Sequence, residues 1–104
     1  MTTWKPYTMQ EMENFLEEGQ ADFSPDEHAK FARTKVPVTK ARCFRSEQYP
    51  DDALFVIASD GEEAVMFDDV DEEFAICKAN AIGDGVIRAW TLVGSLSAAL
   101  KLLK

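Results

Sequence analysis

The sequence predicts an α+β domain in which two helices precede an antiparallel meander of four to five strands and one helix follows it. Three observations carry this. Two capping-box pairs, Thr8 with Glu11 and Ser24 with Glu27, each open a short amphipathic stretch. Two apolar runs flank Asp60-Gly61, a favoured hairpin turn. The closing segment "GSLSAALKLLK" repeats apolar residues at helical spacing behind a serine. With 104 residues and a 46% apolar fraction, the chain fits one domain over 1–104. A chain of this size buries roughly 65% of its unfolded surface, enough for a core without staples.

In the first helix, Met9, Met12, Phe15 and Leu16 share a face, Glu11, Glu13, Glu17 and Glu18 flank it, and Gly19 is the stop. Trp4 and Tyr7 precede this helix and read as a packed arm or as aromatic anchors. The second helix begins at Pro25, where the missing N–H costs nothing, carries Asp26 and Glu27 at its positive end, and should end near Arg33. Phe31 and Ala32 are its apolar face.

"KVPVTKARCF" alternates weakly and contains Pro37, so it reads as an edge strand. Residues 46 to 52 read as a loop. With Asp60-Gly61 as turn centre, Phe55, Ile57, Ala64 and Met66 would share one face of the hairpin. Leu54, Val56, Val65 and Phe67 would share the other. Both faces are apolar, so the hairpin is central and covered on both sides, or one face meets a partner. "EFAICKA" is the next strand, residues 80 to 85 a turn, "VIRAWTLV" a further strand. Ser95 caps the last helix, whose face is Leu96, Ala99, Leu100 and Leu103.

Several function classes lack their equipment. Neither a GxxxxGK[ST] loop, a GxGxxG turn nor a GxSxG elbow occurs. His28 is the only histidine, and with Cys43 and Cys77 it falls short of a structural zinc set. The sequence therefore assigns no catalytic residue, no metal and no cofactor. Two cysteines without a CxxC suit reduced thiols in the cytoplasm. There is no signal-like start, and the longest apolar run, "ALFVIA", is far below the roughly 20 residues a membrane helix needs.

The charge layout is the most informative feature. Lys30, Arg33, Lys35, Lys40, Arg42 and Arg45 form a basic block between residues 28 and 45 that contains no acid. Residues 46 to 77 hold eleven acids and no Lys or Arg, and the net charge is −8. That field argues against direct nucleic-acid binding by the basic block. Inside the acidic segment, "FDDVDEEF" does not fit a calcium loop. Counted from Asp69, its sixth position is Phe74 rather than glycine, and its twelfth is Asn80. It reads as a solvated turn.

The expectation is a small acidic interaction protein of inhibitor, immunity or adaptor type. It would bind a basic protein, such as a nucleic-acid-binding one, through Asp60, Glu62, Glu63, Asp68, Asp69, Asp71, Glu72 and Glu73, with the first helix as a further part of that surface. A homodimer closing over the second apolar face of the hairpin is the alternative reading.

Overall fold

The computed structural model describes residues 7–44, 52–83 and 86–104. Trp4, Arg45, nearly all of the 46–52 loop and the last two residues of the expected 80–85 turn lie outside them. Helices α1 (Met9–Gly19) and α2 (Pro25–Thr34) come first, then strands β1 (Lys35–Cys43), β2 (Asp52–Ser59), β3 (Glu63–Asp68) and β4 (Glu73–Lys78). A short helix α3 (Ala79–Gly83), strand β5 (Thr91–Gly94) and helix α4 (Leu96–Leu100) complete the chain. The strands form one antiparallel sheet in the order β1-β2-β3-β4-β5. The architecture is the α+β meander expected, with α3 as an addition.

Both capping boxes form. The Thr8 hydroxyl accepts from the Glu11 N–H while the Glu11 carboxylate accepts from the Thr8 N–H, and Ser24 and Glu27 do the same for α2. On α2 the buried residues are Phe31 and Thr34, not Ala32, which is exposed. Thr34 can be buried because its hydroxyl donates to the Lys30 carbonyl at 2.8 Å. Pro37 lies on the edge strand where the β1–β2 register slips between Lys35 and Thr39, as its missing N–H requires.

The hairpin departs from its expected register. Ser59 pairs with Ala64 and Ala58 with Val65, which centres the turn on Gly61-Glu62. Gly61 has φ 97, and Asp60 Oδ1 accepts from the N–H groups of Glu62 and Glu63, both at 2.8 Å. Beyond a bulge at Ile57, Val56 pairs with Met66 and Phe55 with Phe67. The inserted residue turns Ile57 and Ala58 to the same side and exchanges the expected faces of β3. Val65 and Phe67 join Phe55 and Ile57 under the helices, and Ala64 and Met66 join Leu54 and Val56 on the opposite side.

Two apolar clusters result. The first packs Met12, Leu16, Phe31, Leu96, Ala99, Leu100 and Leu103 from α1, α2 and the α4 region against the sheet. The second lies under Ile87, Ile82 and Trp90, from the segment between β4 and β5. That segment was expected to be a turn and a strand. Instead residues 79–83 are helical, Ile87 bridges Cys43 in parallel, and only 91–94 are strand. The chain itself thus covers the hairpin's second face, which no longer argues for a homodimer.

Candidate acidic contact site

The eight acids expected to form one surface fall at two ends of β3. Six residues of strand separate them by roughly 20 Å.

At the Asp60 end the charges are matched within the chain. Lys104 Nζ meets Glu62 at 2.7 Å, and Lys78 Nζ meets Glu63 at 2.6 Å. Asp60 Oδ2 accepts from the Lys104 N–H at 2.8 Å. Hydrogen bonds from the backbone N–H of Glu63 first, then of Lys104 and Glu62, bring its carboxyl down to about 2. A depressed folded value contributes stability above the unfolded carboxylate range that is lost as pH falls through the folded one. Urea midpoints followed with pH should therefore decline between about pH 4 and pH 2, and Asp60→Asn should flatten that decline.

At the other end the solvated-turn reading fails for two residues. Asp68 is fully buried and Asp69 is 3% exposed. Asp68 Oδ1 accepts from the N–H of Val70 at 3.0 Å and of Asp71 at 3.3 Å, closing the turn onto its own side chain. Its Oδ2 accepts from the Trp90 indole N–H at 3.3 Å, tying the turn to the segment before β5. Asp69 Oδ2 accepts from the Tyr7 N–H at 3.0 Å. These two carboxylates are structural anchors and present no charge for a partner to touch. No sequence signal marks the Trp90 contact, 22 positions away.

Asp71 and Glu72 are exposed and Glu73 half-buried. Glu72 sits at φ 54, a left-handed conformation that costs a non-glycine residue about 1 kcal/mol. Its Oε1 accepts from the Tyr7 hydroxyl at 3.3 Å. Burial, then the Glu72 carboxylate, pushes the Tyr7 phenol up. Tyr7 thereby joins the start of α1 to the 68–72 turn. Its ring lies 5.4 Å from Phe67 and 6.2 Å from Phe15.

Beside this turn runs a groove of about 490 Å³ between α1, α2, the start of α4 and the β4–β5 edge. Phe15, Phe23 and Phe74 wall it, and Asp22, Glu27 and Glu72 supply its charge. Glu27 is held in place. Its Oε2 accepts from the Ser97 hydroxyl, and Oε1 from the Ser24 N–H at 3.1 Å. Those bonds, the Ser97 one foremost, hold its carboxyl below the ordinary range. Glu13, Glu17, Glu18, Asp22 and Asp26 are exposed along α1 and the start of α2. None of these five enters an ion pair among the described residues.

The remaining chemistry-bearing residues stay apart. His28 is exposed, with its ring at the edge of Phe23. Cys43 and Cys77 are buried in the opposite cluster, on strands three positions apart in the sheet. Three spacings of ~4.8 Å exceed the reach of a disulfide. Burial first, then Glu63, pushes the Cys77 thiol up to about 11, which favours the protonated thiol over the reactive thiolate at neutral pH. Among the described residues no cluster of three or more His, Cys, Asp or Glu is arranged to hold a metal ion. Nor is any described helix long and apolar enough to cross a membrane. No protein-family model, curated protein or solved structure matches the chain.

Proposed function

We propose that this chain is a small, non-enzymatic interaction protein of inhibitor or adaptor type that binds a basic macromolecular partner in the cytoplasm. The contact face keeps only part of the acidic run and joins it to acids of the N-terminal segment. It comprises Asp71 and Glu72 of the β3–β4 turn, Asp22, and the outer carboxylates of α1. The observation that carries this reading is the unequal treatment of the acids. Those of the Asp60 end are matched by Lys78 and Lys104, whereas Glu18, Asp22 and Asp71 are exposed and enter no ion pair among the described residues. A face of one sign steers a partner of the other onto it and speeds encounter. A nucleic-acid-binding protein has a cleft of the matching sign, so occupying that cleft is the inhibitory mechanism this face suits.

The test is affinity capture from cell extract at low salt, with elution along a salt gradient. A basic protein should be retained by the parent chain and released below about 0.5 M salt, where the Debye length is only a few ångströms. It should be lost when Asp22, Asp71 and Glu72 are replaced together by Asn, Asn and Gln. Undiminished capture by that triple variant contradicts the assignment of the face.

A further inference from the structure

We propose that the groove between α1, α2 and the β4–β5 edge is an arginine-reading pocket, which takes one arginine side chain of the basic partner. This rests on the acidic-face reading above and deepens it.

Three features point to this occupant. The walls are aromatic. Phe15, Phe23 and Phe74 line it; Phe74 is buried and stacks on Phe15 at 5.9 Å and 25°, so the half-buried rings of Phe15 and Phe23 offer the accessible aromatic surface. Such faces attract a cation lying over them, by about 0.5–2 kcal/mol depending on desolvation. The charge is complementary, since Asp22, Glu27 and Glu72 all line the groove and no Lys or Arg does among the described residues. Glu27 is positioned and kept charged by Ser97 and Ser24, so one anion is in place before anything binds.

The chemistry selects arginine over lysine. A guanidinium is planar, stacks on rings and is weakly hydrated, so an apolar groove strips little from it, and its fork of donors can meet two carboxylates. An ammonium is a compact, strongly hydrated charge that loses more on entering. A larger hollow, about 620 Å³, is lined among the described residues by Lys78 and Arg88, cations that disfavour such a ligand.

The test is a titration of the full chain, labelled with ¹⁵N, at about 20 mM salt, where screening is weak. The probes are three short peptides of alternating glycine with arginine, lysine or citrulline. The arginine peptide should shift amides at 19–23, 72–74 and 94–97. The lysine peptide should bind at least ~3-fold more weakly, and the citrulline peptide should not bind. Asp22→Asn with Glu72→Gln should raise the arginine-peptide Kd by ~10-fold or more, which is about 1.4 kcal/mol. Both side chains are exposed, and the same spectra report that the variant is folded. Equal affinity for lysine and arginine, or binding of the citrulline peptide, overturns the arginine assignment. Shifts on the Glu13 and Glu17 flank of α1 with a silent groove overturn the pocket and leave only the α1 carboxylates of the acidic face standing. No binding of either cationic peptide removes both.

Discussion

Replacing Asp68 by alanine is expected to cost about 2–4 kcal/mol of folding stability, although it removes one acid from a run of five in a strongly acidic protein. The carboxylate is fully buried and accepts from two turn N–H groups and from the Trp90 indole. Bonds to a charged acceptor are the stronger class, and deleting the acceptor strands its donors. Asp71→Asn, three residues away and exposed, should change stability by no more than about 0.5 kcal/mol. Urea unfolding followed by tryptophan fluorescence separates the two. With m near 1–3 kcal/mol per molar, the Asp68→Ala midpoint should fall by roughly 1 M or more while that of Asp71→Asn holds. Equal, small changes at both positions would return the whole segment to a solvated turn.

Phe67→Ala should cost about 3–5 kcal/mol, a large part of the ~5–15 kcal/mol that a domain of this size has. Phe67 is fully buried, with ring centres of Phe15 and Phe74 at 5.0 Å and of Tyr7 at 5.4 Å. Removing it opens a void that α1 cannot collapse into without losing its seat on the sheet. The face to which Phe67 points depends on the bulge at Ile57, so a double-mutant cycle with Phe15→Ala tests the register. A coupling of about 0.5–1.5 kcal/mol is expected for rings in this contact. Zero coupling would place Phe67 on the far side of the sheet, as an unbulged hairpin requires.

The fold was legible wherever the physics is local. Capping residues act within one turn of helix, so Thr8, Ser24 and Ser95 marked their helices correctly, and Leu96, Ala99, Leu100 and Leu103 were recognisable as a buried face. Pro37 marked an edge strand because a missing donor is a property of the residue itself. The bulge at Ile57 was not legible. Both hairpin faces are apolar, so a slip of one residue exchanges valine for methionine and leaves no polar residue in the wrong place. The segment after β4 was misread for a related reason. Ala79 and Ile82 are one helical step apart, too short a repeat to mark a helix, and Ile87 and Trp90, three positions apart, do not alternate as a strand would. At the candidate site, sequence spacing ruled out a calcium loop and located the charge. It left open which acids are anchors, because the Trp90–Asp68 and Tyr7–Asp69 contacts join residues 22 and 62 positions apart.

The claim that binding resides in a local acidic face, not in net charge, is tested most directly by two variants that each remove two charges. One carries Asp71→Asn and Glu72→Gln beside the groove. The other carries Glu62→Gln and Glu63→Gln at the lysine-matched end of the hairpin. Calorimetric titration with the arginine peptide at low salt should show the first weakened by about 10-fold and the second by less than ~2-fold. Equal losses in the two variants, or the larger loss in the second, would contradict the account.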